Sequence, residues 1–238
     1  MRLSKLLLLC LLTMAIKACQ SQEKKQSATQ SVVQQAENEW TMLFDGNDAS
    51  QWRNFKSQDL NWSVENGNLT TSGGKGDIIT KEKYENFILE FEWKIERAGN
   101  SGVMYNVVEA EKYNSPYETG PEYQLIDAVN FKEVHGHELE DAQVTAANYA
   151  LHIPKSTNVK LAGEYNLSKI VVNQGKVEHW INEEKAVEYE LWSDQWKEEV
   201  ANTKFKAMPD YGKAKSGHIA LQDHGDAVWF REIKIKEL

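Results

Sequence analysis

Phe87-Ile88-Leu89-Glu90-Phe91-Glu92-Trp93-Lys94-Ile95 alternates apolar and charged residues. At a side-chain period of two, Phe87, Leu89, Phe91, Trp93 and Ile95 share one face, and Glu90, Glu92 and Lys94 share the other. That is the pattern of a half-buried strand. The theme recurs at Lys169 to Asn173, Lys176 to Ile181 and Ala186 to Leu191, with short turns at Asn173-Gln174-Gly175 and Asn182-Glu183-Glu184. Val228 to Ile235 closes the chain with Trp229, Arg231, Ile233 and Ile235 expected on one face. One helix is expected, capped by Ser193 and running through Trp196 toward Thr203. Many short antiparallel strands with one short helix predict an all-β fold, a two-sheet antiparallel jelly-roll sandwich forming a single domain over residues 40–238. The sequence has no Gly-rich phosphate loop after a strand, no Gly-x-Ser-x-Gly elbow and no repeat of fixed period.

The 238 residues are 41% hydrophobic and 26% charged, an ordinary globular balance. A net charge of −9 argues against a nucleic-acid partner. Both cysteines, Cys10 and Cys19, precede the domain, so it has no disulfide, zinc ribbon or cysteine nucleophile. Arg2 and Lys5 precede an apolar run, Leu6 to Ile16, that is too short to span a bilayer. Ile16-Lys17-Ala18-Cys19 reads as a lipoprotein signal, with residues 1–18 a signal peptide and Cys19 the lipidation site. Removing Arg2, Lys5 and Lys17 with the leader deepens the net charge from −9 to −12. Residues 19–39, rich in Gln, Ser, Lys and Glu, read as a flexible tether. Contact with a membrane is then expected only through the lipid anchor. The expected compartment is the periplasm or the cell surface of a Gram-negative bacterium, where neither ATP nor free nicotinamide is in stable supply.

The densest polar segment is Gly120-Pro121-Glu122-Tyr123-Gln124-Leu125-Ile126-Asp127. Glu122 and Gln124 share one strand face, and Asp127 needs a bulge to join them. The spacing resembles the Glu-x-Asp-x-x-Glu strand of concanavalin-like endoglucanases, with Gln124 and Asp127 in place of two acids. His135-Gly136-His137 places two imidazoles at a spacing able to chelate a metal, inside a segment, Ala128 to Ala147, expected to be a loop. Cofactors are accordingly read as none, with a divalent cation left open. Gly217 to Asp226 reads as a strand entering a tight turn that carries Gln222 and His224, with Arg231 nearby. Asn100-Ser101-Gly102 precedes Met104 and Tyr105 in another strand, where Asn100 suits a turn or a sugar equally. His152 and His179 sit in apolar strand contexts and read as interior residues.

Taken in order, several segments resemble the 3-keto-disaccharide hydrolase family. They are Leu43-Phe44-Asp45-Gly46 with Trp52, Trp62-Ser63-Val64-Glu65-Asn66-Gly67, Asn100 to Tyr105, Gly120 to Asp127, Gly163-Glu164-Tyr165-Asn166, His179-Trp180-Ile181-Asn182, and Gly217 to Gly225 with Phe230-Arg231. The resemblance covers residues 40–238 and implies a concanavalin A-like sandwich. It also implies cleavage of glycosides whose C3 hydroxyl a partner oxidoreductase has first oxidised, as in Bacteroidetes-like glycan degraders. A C3 ketone acidifies the C2 proton, so the C1 substituent can leave by elimination, or by net hydrolysis if water then adds. Such a site needs a base near C2, donors for the enolate oxygen and an acid for the leaving oxygen. On this resemblance Glu122 or His224 is the expected base, Gln124 and Arg231 are donors, and Asp127 orients a neighbour or ligates a cation. Asn100, Tyr105, Trp52, Gln222 and His137 are the expected sugar contacts. The rivals are a carbohydrate-binding module, a conventional endoglucanase and a structural envelope lipoprotein.

Overall fold

The computed structural model describes residues 39–155 and 158–238. The expected leader, Cys19 and the tether up to residue 38 lie outside the described residues. Two antiparallel sheets face each other. The larger runs β11 (Glu184–Glu190), β10 (Lys176–Ile181), β9 (Asn166–Asn173), β6 (Phe87–Ile95), β13 (Val228–Glu237), β4 (Asn68–Thr71), β3 (Ser63–Glu65), with β1 (Thr41–Phe44) also paired to β13. The smaller runs β2 (Trp52–Asn54), β5 (Ile78–Thr80), β12 (His218–Leu221), β7 (Asn100–Val107), β8 (Glu122–Ile126).

Strand β6 lies at the centre of the larger sheet and alternates as its sequence requires. Phe87, Leu89, Phe91, Trp93 and Ile95 are buried, while Glu90, Glu92 and Lys94 are half-exposed. Each such buried side chain contributes about 1.5–3 kcal/mol of transfer free energy. The inner faces meet in rings: Phe91 packs edge-on to Tyr123 at 6.0 Å and lies 6.1 Å from Phe230. Polar tips within this layer are paired. Trp93 Nε1 donates to Ser168 Oγ at 2.9 Å, and Tyr123 Oη meets the same hydroxyl at 2.9 Å. His179, fully buried on β10, lies between Tyr105 Oη at 3.0 Å and the Ala146 carbonyl at 3.0 Å.

Two expectations need correction. Strand β13 does not hold one phase. Glu232 has φ +49° and the register shifts between Arg231 and Lys234, so a β-bulge resets the alternation. Trp229 and Arg231 therefore stay half-exposed, while Val228, Phe230, Ile233 and Ile235 are buried. The expected loop after Asp127 contains a helix, α1 (Ala128–His135), closed by Gly136 at φ +79°. Its period is invisible in the sequence because only Phe131 is buried, whereas Val129 and Val134 are exposed. The expected helix is present as α2 (Asp194–Ala201), with Ser193 Oγ accepting from the Trp196 amide at 3.1 Å.

Burial holds the His179 imidazole down to about 3, against about 6.5 in an unfolded chain. Between those values the unfolded chain binds a proton that the folded one refuses, so this histidine costs stability as pH falls below 6.5. The slope is about 1.4 kcal/mol per pH unit for one proton. Urea unfolding at pH 7, 6 and 5 should show stability declining toward acid, and His179→Gln should shallow that decline by about one proton. Parallel pH slopes for the two proteins would show that His179 charges freely in the fold.

Candidate active site

Register builds the site on the outer face of the smaller sheet. Met104 pairs with Glu122, Val103 with Tyr123 and Gly102 with Gln124. Tyr123 and Leu125 point into the sandwich, which leaves Glu122 and Gln124 on the opposite face. The edge of β8 is covered by a strap. The Ala146 amide donates to the Gln124 carbonyl at 2.9 Å, and the Tyr149 amide donates to the Glu122 carbonyl at 3.0 Å. A cleft of about 550 Å³ opens here, lined by Asn100, Tyr117, Glu122, Gln124, Tyr149, Lys204, Phe205, Gln222 and His224.

Glu122 lies at the bottom and is only 7% exposed. Burial pushes its carboxyl up to about 8, opposed by the Lys204 cation and reinforced by Asp77. Glycine at 102 makes room for the carboxyl: a Cβ there would lie 2.1 Å from Glu122 Oε1, so the Glu122 side chain would have to shift. Gln124 has two amide orientations available. One donates to Asn100 Oδ1 at 3.3 Å, and the other donates to Glu122 Oε1 at 3.3 Å and to the Ser101 carbonyl at 3.1 Å. The second satisfies more acceptors and is the orientation adopted below. Gln222 Oε1 is buried with no partner among the described residues, which makes it a cleft atom ready for a donor.

The loop carrying Gln222 and His224 is fixed from behind. Asp223 accepts from the amides of Gly74, Lys75, Gly76 and Gly225. Gln222 N–H donates to the Gly102 carbonyl at 2.9 Å, and Ser101 Oγ donates to the Gln222 carbonyl at 2.8 Å. The opposite wall is fixed by a stack of rings. His152 lies on Tyr189 at 4.5 Å, Tyr189 on Trp196 at 5.4 Å, Trp196 on Tyr211 at 5.9 Å and Tyr211 on Phe205 at 3.9 Å. Phe205 lies in the single turn of 3-10 helix Lys204–Ala207, so the stack sets where Lys204 stands. The Lys204 ammonium sits 4.2 Å from the Tyr149 ring centroid, and burial lowers its pKa while Glu122 raises it.

The structure brings together Glu122, Gln124, Asn100, Gln222 and His224. It separates the other five candidates from them. Trp52 is 2% exposed and donates Nε1 to the Leu43 carbonyl, so its ring is core and not a sugar platform. Tyr105 points between the sheets, fully buried against His179 and Tyr189. Arg231 is on the other sheet, with Nε donating to Glu92 and its guanidinium 3.6 Å from the Tyr165 ring centroid. Asp127 turns away to the start of α1, where it accepts from the Ala98 amide at 2.8 Å and from the Asn130 side chain, Nδ2, at 2.7 Å. His137 is exposed past the end of α1, edge-on to Phe131, and does not line the cleft. Among the described residues no group of three or more His, Cys, Asp or Glu side chains converges on a metal position.

Lys204, Tyr149, Tyr117 and Phe205 were not foreseen. Lys204 follows the helix whose end was expected near Thr203, and no local pattern distinguishes it from the other surface lysines.

The three atoms nearest to a Cβ at residue 102 all belong to the Glu122 side chain. Gly102→Ala should cost about 1–3 kcal/mol in chemical unfolding, and Glu122→Ala in the same chain should recover most of it. Additive losses in that double-mutant cycle would show that position 102 does not read the carboxyl.

A model for the family described as a 3-keto-alpha-glucoside-1,2-lyase-like domain matches residues 39–236. A 3-keto-disaccharide hydrolase of Bacteroides thetaiotaomicron is 32% identical over 225 residues, 82% of this chain and 77% of that one. A crystal structure of a Parabacteroides distasonis protein, provisionally assigned as a glycosyl hydrolase, superposes with a TM-score of 0.79 at 41% identity, covering 86% of this chain and 96% of that one. A Bacillus subtilis protein with a galectin-like fold matches at 12% identity and a TM-score of 0.51, over 84% of this chain and 94% of that one, and shares the fold alone. The architecture is thus a concanavalin A-like sandwich, and the chain belongs to the 3-keto-alpha-glucoside-1,2-lyase-like family.

Proposed function

We propose that the cleft cleaves glycosides and that its substrates carry a ketone at C3. Glycoside cleavage is supported by family membership and by the name of the Bacteroides relative. The observation that carries the keto-sugar reading is that, among the described residues, one carboxyl, Glu122, lines the cleft where an ordinary glycosidase needs two. A lone buried acid cannot share the work of protonating a leaving group and supporting an oxocarbenium ion. It can serve a reaction that runs through an enolate.

In this reading His224, at the mouth of the cleft, takes the C2 proton. Imidazole is the side chain suited to accept and return a proton near neutrality. The C2–H electrons form the C2–C3 double bond, and the C3 oxygen becomes an enolate. Glu122 is mostly neutral at pH 7, because burial raises its pKa to about 8. With Gln124 donating to Oε1, the free carboxyl O–H donates to the C3 oxygen, assisted by the Lys204 charge. The enolate then collapses: C3=O re-forms, a C1–C2 double bond appears, and the C1–O bond breaks. The departing oxygen recovers the proton from the imidazolium. Water adding to C1, with a proton returning to C2, gives net hydrolysis. Asn100 and the unpartnered Gln222 Oε1 hold sugar hydroxyls. The same reading includes an upstream oxidoreductase that makes the ketone, and export with a lipid anchor at Cys19.

Protein from Ser21 onward should cleave a 3-keto-glucoside and leave its unoxidised parent intact by mass spectrometry, with deuterium entering C2 in deuterated water. Equal cleavage of both forms would sink the keto-sugar reading. His224→Ala should lower kcat by about 10²–10⁴-fold. The wild-type kcat/KM should fall as pH rises through about 8, because the donor form of Glu122 is lost there, and Glu122→Gln should keep part of the activity while removing that limb. A rate that instead climbs through pH 8 would make Glu122 the base.

A further inference from the structure

The cleft holds an amine whose bonding capacity is unspent. Lys112, Lys132, Lys185, Lys197 and Lys234 are all committed to carboxylates. Lys204 lines the cleft and makes no hydrogen bond or ion pair to any described residue. Its ammonium faces rings instead, 4.2 Å from the Tyr149 centroid and 5.3 Å from that of Phe205. A ring face attracts charge but accepts no directed N–H bond of the kind a carboxylate does, so the nitrogen stays free to turn into the cleft. Partial burial lowers its pKa, opposed by the nearby Glu122. A desolvated lysine without a salt bridge is the kind that attacks carbonyl groups as the free amine.

One residue ties this amine to Glu122. The Tyr149 amide donates to the Glu122 carbonyl at 3.0 Å, and the Tyr149 ring lies beside the Lys204 ammonium. Phe205, next in the chain, is buried at the end of the ring stack and anchors the backbone that carries Lys204. Glu122 is mostly protonated at pH 7, because burial raises its pKa to about 8. An unbonded amine and a protonated acid in one cleft are the two groups that imine formation with a ketone requires, one to attack carbon and one to turn the oxygen into water. We propose that Lys204 captures the C3 ketone of the substrate as a Schiff base, so that elimination runs through an enamine instead of a free enolate. This rests on the keto-sugar reading above. There the Lys204 charge assists from outside; here the same charge resides on the nitrogen bonded to C3.

Lys204 first gives a proton to solvent. Its lone pair forms the N–C3 bond while the C3=O π electrons pass to oxygen, which takes the Glu122 proton. The nitrogen returns a proton to the Glu122 carboxylate. The same acid then protonates the C3 hydroxyl, which leaves as water as the C3=N bond forms. His224 removes the C2 proton, the C2–H electrons form the C2–C3 double bond, and the nitrogen becomes neutral. Its lone pair then re-forms C3=N, a C1–C2 double bond appears, and the C1 oxygen departs with its bonding pair and the proton from His224. Water adds to C3 and releases the enone and the free amine.

Protein from Ser21 onward, incubated with a 3-keto-glucoside and sodium cyanoborohydride, should gain one reduced sugar per chain, located at Lys204 by peptide mass spectrometry. Lys206, exposed two residues away, is the internal control and should stay unmodified. Trapping on the wild type needs no variant, so it stands whether or not a substitution disturbs the fold. Lys204→Arg keeps the positive charge and forms no imine, so kcat should fall about 100-fold or more, while Lys206→Arg should leave it unchanged. Turnover of the keto-glucoside without a Lys204 adduct, or a folded Lys204→Arg protein that keeps kcat within about fivefold of wild type, would overturn the Schiff base and leave the keto-sugar reading in place. An adduct at Lys204 with no cleavage would keep the capture of the ketone and sink the proposed reaction instead.

Discussion

Keeping one carboxyl away from water is the constraint around which the outer face of the smaller sheet is organised. A buried acid without a salt bridge survives by staying protonated and by finding hydrogen-bond partners. Glu122 meets both conditions: burial lifts it to about 8, and the Gln124 amide reaches it from the next residue on that face. The space it occupies is made by the missing Cβ of Gly102 on the paired strand. The strap at residues 146–149 closes β8 by backbone bonds and brings Tyr149 over the site. The ring stack from His152 to Phe205 then delivers Lys204 to the same cleft.

Two neighbouring acids show how environment divides roles between like groups. Asp223, next to the cleft, is enclosed by four backbone amides and serves as a structural clamp for its loop. Glu122 receives no backbone amide at its carboxyl from the described residues and is left with a proton it can present. Asp77 stands between these cases. Burial raises it to about 6, while the Asp223 amide donates to its Oδ1 and lowers it. The contrast comes from what surrounds each carboxyl and not from residue type or spacing.

The sandwich was legible in the sequence because burial on one face imposes a period of two, and β6 obeys it over nine residues. Helix α2 was legible because a serine cap and a buried Trp196 leave a local trace. Helix α1 left none, since it buries only Phe131, and the bulge in β13 broke a count that assumes unbroken pairing. The site divided along the same line. Glu122, Gln124, Asn100, Gln222 and His224 belong to chain segments whose register brings them to one face, where they line one cleft. Trp52 and Tyr105 failed for a simple reason: an aromatic ring suits a sugar and a core equally, and only the second sheet decides which it meets.

Arg231 marks the deeper limit. Chain order puts it just after the His224 turn, but that turn is where the chain passes from the smaller sheet to the larger, from β12 to β13. Residues a few positions apart on either side of such a crossing belong to different layers and cannot share a cleft on the outer face of one of them. The candidates that met are those on β7, β8 and the end of β12, all within one sheet. Lys204 joins them from outside it, carried in by stacked rings that no local pattern announces. In a sandwich, therefore, parity within a strand assigns a face, sheet membership assigns the layer, and only the second of these requires the whole fold.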